Sequence, residues 1–173
     1  MFKKFPLTVF GLILCVNLLT NCGKVDVKNE VTQLSGPVPL VDAYSSLMTI
    51  EQVRKGFGVS PAELERILLP VAGKSPRGNQ SQIMRQWFEA DRENALLGFS
   101  GKVRFEFYHD RLARIVFFPE DVGEFLMSTL QVKVKPNQDG AVPTTTPHLQ
   151  IAYGSSHVVW MDKRILSILE RAD

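Results

Sequence analysis

One stretch near the middle of the chain narrows the possible folds more than any other. Across residues 102–108, Val103, Phe105 and Phe107 alternate with Lys102, Arg104 and Glu106. Successive strand residues point to opposite faces, so this is a strand with one buried face. After a turn at His109, Asp110 and Arg111, residues 112–118 return as a second strand. There both parities are apolar: Ala113, Ile115 and Phe117 on one, Leu112, Val116 and Phe118 on the other, with Arg114 the exception. A strand of that kind reads as covered on both faces.

Helix signals lie on either side of this hairpin. Thr49 followed by Gln52 has the form of a capping box, and Ile50, Val53 and Phe57 recur at helical spacing before Gly58. Ser60, Pro61 and Glu63 repeat the start signal, and the stripe of Leu64, Ile67 and Leu68 stops at Pro70. Pro119, Glu120 and Asp121 open a helix to about Leu130, with acids where the helix dipole favours them. Residues 149–153 and 157–162 form a second hairpin around Gly154, Ser155 and Ser156, and residues 164–171 suit a closing helix. Residues 74–81 and 135–147 are polar loops, 83–90 fits strand or helix, and Glu89, Asp91 and Glu93 read as a solvated turn. The expected fold is α+β: an N-terminal helical pair packed on an antiparallel sheet, with an inserted helix and a C-terminal helix, in one domain over 47–173.

The beginning of the chain has a different character. Lys3 and Lys4 precede an apolar run over 5–19, broken by Pro6, Thr8, Gly11 and Asn17. That is the pattern of an export signal, here 1–21. It ends at Leu19, Thr20, Asn21, Cys22 and Gly23. Losing Lys3 and Lys4 with the signal reduces the 20 basic residues to 18, against 18 acidic ones. A neutral mature chain lacks the positive field expected of a nucleic-acid binder. Cys15 leaves with the signal, so Cys22 has no partner for an internal disulfide. Residues 22–46 carry scattered charge and the prolines Pro37 and Pro39, and read as a linker, with an edge strand at 39–43 as the alternative.

The 19–23 segment resembles the bacterial lipoprotein signal family. Leu19, Thr20, Cys22 and Gly23 match its pattern, and Asn21 departs from the usual small residue. The resemblance implies diacylglycerol on Cys22, cleavage before it, and tethering to a bilayer. Gly23 in place of Asp implies the inner leaflet of an outer membrane, if the cell has one. The alternative is an uncleaved membrane helix over 5–22, weakened by Asn17 and Asn21. In element order, residues 45–162 resemble small outer-membrane-assembly lipoproteins of the β-lactamase-inhibitor-like fold. The helix after Phe118 and the 135–147 loop depart from that plan, and the likeness implies fold alone.

No residue pattern points to catalysis. His109, His148 and His157 lack a second ligand at metal spacing. Gly98, Ser100 and Gly101 fall short of a nucleophile elbow and precede a strand, and Gly73, Lys74 and Ser75 echo a phosphate loop only by chance. The expectation is a protein without catalytic residues, metal or cofactor. The aromatic residues say more. Phe105, Phe107 and Phe117 read as core, whereas Phe118 and Trp160 lie on strands apolar at both parities. With Val158, they are the candidate partner surface; the competing reading is that the inserted and terminal helices cover both faces and make Trp160 core. The expected role is a membrane-anchored interaction or assembly module with an envelope protein partner. A small-ligand or peptide-binding lipoprotein is the alternative, and an enzyme comes third.

Overall fold

The computed structural model describes residues 26–72, 84–133 and 138–172. Cys22, the signal segment and the 74–81 loop lie outside them. The described elements run α1 (Val27–Gln33), β1 (Pro39–Val41), β2 (Tyr44–Ser45), α2 (Ile50–Gly56), α3 (Pro61–Ile67), β3 (Leu69–Ala72), β4 (Met84–Leu96), β5 (Phe99–Tyr108), β6 (Arg111–Pro119), α4 (Val122–Leu130), β7 (Gly140–Val142), β8 (Leu149–Tyr153), β9 (Val158–Asp162) and α5 (Lys163–Ala172). Strands β3 to β9 make one sheet in the order β3-β4-β5-β6-β9-β8-β7, antiparallel throughout, and β1 pairs with β2 apart from it. The fold class is α+β, with helices packed on an antiparallel sheet. Among the described residues no helix is long and apolar enough to cross a membrane.

Local signals set the helix starts. Thr49 and Gln52 close a reciprocal capping box on α2, Ser60 caps α3 with Pro61 in its first turn, and Asp121 caps α4. Each cap satisfies an N–H that the helix itself leaves unpaired. Gly101, at φ 149°, lets β5 approach β6: a Cβ there would lie 2.5 Å from the Phe118 carbonyl oxygen.

The main core lies on one face of the sheet. Phe88, Phe105, Ile115, Trp160 and Ile151 stand side by side across β4, β5, β6, β9 and β8. Beside them run Ala90, Val103, Phe117, Val158 and Tyr153. Val53 of α2, Phe57, Val59, and Phe125 and Leu126 of α4 pack against these rows. Phe105 meets Tyr44, Phe57 and Phe88 at ring distances of 5.1, 5.0 and 5.1 Å. Burial, with the nearby Asp42 charge, pushes the Tyr44 hydroxyl up to about 12. A smaller apolar cluster sits at the β5–β6 turn, where Val27 and Val31 of α1 and Ile165, Ile168 and Leu169 of α5 enclose Tyr108 and Ala113.

Three expectations need correction. The linker reading fails for residues 27–46, because Val27, Val31, Val38, Leu40, Val41, Tyr44 and Ser46 are buried. Asp26 caps α1, Val27 and Val31 recur at helical spacing, and Gly36 and Pro37 turn the chain into β1 rather than away from the domain. The segment is also bolted down: Ser46 Oγ donates to buried Asp162 at 2.8 Å, and Arg164 donates to the Ser35 and Gly36 carbonyls at 2.8 and 2.9 Å. Second, β4 runs straight through Asp91 and Glu93, so these residues are strand and not turn; this also resolves 84–90 as strand. Third, the 135–147 loop contains β7, which extends the sheet beside β8.

Candidate interaction surface

The expected partner surface separates into two parts. Trp160 and Val158 are 1% and 0% exposed, and the Phe125 and Trp160 rings form a T-shaped pair with centres 6.0 Å apart. They belong to the main core, so the placement of an interface there is overturned. Their parity points toward α4, whose Phe125 lies between Trp160 and Phe117. Phe118 points the other way and stays half-buried.

That other face carries the surface of interest. Leu69, Trp87, Glu106, Arg114, Met161 and Gln150 form one row across the sheet. Glu89, Arg104, Val116, Val159 and Ala152 form the next, followed by Asp91, Lys102 and Phe118. Helices α1 and α5 stand at one end of these rows, against Tyr108 and Ala113. Val116 and Val159 are buried, yet neither belongs to an apolar cluster. Arg104 stands directly across from Val116, and long side chains of this kind can lay aliphatic stems over such residues while the charged ends stay wet.

The charges on this face are layered. Glu106 is 1% exposed, beneath three guanidinium groups: Arg85 Nη2 at 3.0 Å, Arg114 Nε at 3.3 Å and Arg104 Nη1 at 3.9 Å. Those three arginines are 36, 31 and 33% exposed, and Lys102 is 50% exposed. Glu89 accepts from Arg104 and lies 3.8 Å from Lys102. A carboxylate this deep is tolerable only because cations surround it. Pairing is incomplete all the same: Arg85 Nε and Glu106 Oε1 are buried without a hydrogen-bond partner.

Aromatic rings hold the cations in place. The Arg104 guanidinium lies 4.7 Å from the Trp87 ring centre and 5.6 Å from that of Phe118. Lys102 is 5.7 Å from Phe118, and Arg85 is 5.7 Å from Tyr108. Cation–π contact favours such placement and limits how far each head can swing. Exposed Leu69 and Met84 border the face at the β3–β4 side, 45 and 52% exposed. At the opposite end an open cleft of about 390 Å³ lies between Asp91, Glu93, Lys102, Phe118 and Glu120.

The remaining candidates do not converge. His109 sits in the β5–β6 turn, lowered in pKa by burial and the Lys28 charge, while His157 lies against Phe118 with rings 5.8 Å apart. His148 is in the turn before β8. Among the described residues no group of His, Cys, Asp and Glu is arranged to hold a metal ion. Glu89 and Asp91 do share a face, but Glu89 is engaged by Arg104. Sequence reasoning missed Arg85, Trp87, Arg104 and Arg114 as a group. The available signal was the alternation of Arg85, Trp87, Glu89 and Asp91 with Gln86, Phe88 and Ala90, visible once 84–91 is read as strand. No family model, curated protein or solved structure matches the chain.

Proposed function

We propose that this protein is a membrane-anchored interaction module of the bacterial cell envelope. It is held by lipid on Cys22 and binds a partner protein through the arginine- and aromatic-lined face of its sheet. The observation that supports this reading most is Arg104 set between half-buried Trp87 and Phe118. Trp and Arg at the centre of a surface are the residue types that carry most binding energy in protein interfaces. A surface that keeps such groups oriented before binding loses less entropy on association. The cleft beside Lys102 is open and rimmed by carboxylates, which suits it less well to enclosing an apolar small molecule.

Photo-crosslinking in the intact envelope tests the proposal. A crosslinker placed at Trp87 or Lys102 should give discrete protein adducts, whereas one at Met127, exposed on α4 over the opposite face, should not. Metabolic labelling with a fatty-acid analogue should mark the wild type and not Cys22→Ala. Adducts that are equal from Met127, or absent from Trp87 and Lys102, would reject the face; label persisting in Cys22→Ala would reject the anchor.

A further inference from the structure

We infer that the occupant of this face is an acidic segment of the partner protein, one of whose carboxylates docks on Arg85, Arg104 and Arg114. The inference rests on the proposed use of the face for binding and adds the chemistry of what binds. The vertical order of charge carries it. Counted flat, Arg85, Lys102, Arg104 and Arg114 are matched by Glu89, Asp91 and Glu106, with Glu93 and Glu120 also beside Lys102 at the cleft. Counted by depth, they are not. Glu106 is 1% and Glu89 21% exposed, while the arginine side chains are 31–36% exposed and that of Lys102 50%. Over the arginine cluster an approaching partner therefore meets cations first, with Glu89 and Glu106 beneath them and the exposed acids Asp91, Glu93 and Glu120 confined to the Lys102 end.

The buried carboxylate also assembles the site. Glu106 draws in guanidiniums from β4, β5 and β6, three adjacent strands, and so converts scattered arginines into one cluster. One carboxylate cannot use all the donors that three guanidiniums present, five N–H groups each. A second carboxylate, placed over Glu106 from the solvent side, would take the unused N–H groups in the bidentate geometry that guanidinium favours. Trp87 and Phe118 flank that position and offer apolar contact to the stems of an Asp- or Glu-bearing segment. A basic partner would meet like charge, and an apolar one would strand the arginines without water.

The test uses the full lipid-bearing chain in neutral detergent and a short polyglutamate peptide as probe, with polylysine as the sign control. Binding is read from the fluorescence of Trp87, because Trp160 is enclosed in the core. Polyglutamate should give a saturable change that weakens as salt is raised, and polylysine none. Arg104→Gln should weaken polyglutamate binding at least several-fold, with Arg104→Lys between the two. Melting curves of both variants establish that the fold persists; should Arg104→Gln unfold, Lys102→Gln takes its place. Absence of polyglutamate binding at low salt would overturn the inference, as would unchanged affinity in the folded variant. Binding to phosphatidylglycerol vesicles but not to polyglutamate would also overturn it, and would place lipid phosphate on the face. Discrete Trp87 adducts in the envelope, combined with failure of polyglutamate, would leave the interaction module standing and reject only its acidic partner.

Discussion

At the scale of single residues, Asp162 shows how a fold can depend on one buried charge. It is fully enclosed and accepts from Ser46 Oγ at 2.8 Å, from the Arg164 backbone N–H and Nε at 3.0 Å each, and from Arg164 Nη2 at 2.7 Å. Burial alone would raise its pKa, but the hydrogen bonds from Arg164 and Ser46 together outweigh that and leave it below the ordinary value of 3.8. A carboxylate depressed in the folded state contributes stability above its unfolded pKa, and that contribution is lost as pH falls through the folded value. Thermal melts should therefore show the wild type losing stability as pH falls below about 4. Asp162→Asn should cost about 2–3 kcal/mol at neutral pH, under the range for a fully buried pair because Arg164 stays partly exposed and keeps two carbonyl acceptors. It should also flatten the acid limb of the profile. Equal acid slopes in the two proteins would assign that limb to other carboxylates. Nothing in the sequence links Ser46 to Asp162, since the pair is 116 positions apart. Trp160 was hidden for a related reason: parity shows that two faces are apolar, not which one α4 covers.

Among the elements, those with strong local signals were legible in the sequence and those held by tertiary contacts were not. The capped helices α2, α3 and α4, both hairpins and α5 follow from caps, breakers and periodicity that neighbouring residues supply. Helix α1 has seven residues and only Val27 and Val31 buried, too short a pattern to stand out. Such a helix has little stability alone and exists through packing. Strand β4 was obscured because Trp87, on its outward face, breaks the binary pattern that would have revealed it. The site went unread with it, since two of its members, Arg85 and Trp87, lie on that strand. For α1 the consequence is measurable. Val31 is 1% exposed among Ile165, Ile168 and Tyr108. Val31→Asp should therefore cost several kcal/mol in denaturant melts, through an unpaired buried charge. Lys28→Gln, on the exposed side, should change stability by no more than about 0.5 kcal/mol. Equal small effects from both would return residues 27–33 to the status of a linker.

For the whole molecule, folding of α1 onto the domain changes what the anchor does. Residues 22–46 as a free linker would let the domain sample a wide shell above the bilayer. With Asp26 capping a helix packed on the domain, only Gly23, Lys24 and Val25 separate it from Cys22 in sequence. Four peptide units reach at most about 14 Å when fully extended. If Cys22 carries the proposed lipid, the domain is therefore held close to the membrane surface. Helix α1 packs on Tyr108, whose ring is 5.7 Å from Arg85, so the arginine face lies beside the end that carries the proposed anchor and not remote from it. On the proposed function, a partner anchored in the same membrane would meet this face at a high effective concentration, and modest intrinsic affinity would then suffice for capture. Inserting a flexible Gly/Ser segment of about 20 residues between Lys24 and Val25 lengthens the tether roughly six-fold and should lower adduct yield from a Trp87 crosslinker by about fifteen-fold, as effective concentration falls with the −3/2 power of length. Polyglutamate affinity in detergent should not change, because that equilibrium does not involve the tether. If the insertion leaves envelope capture intact, the partner is a soluble protein that reaches the face by diffusion, and proximity to the bilayer contributes nothing to binding.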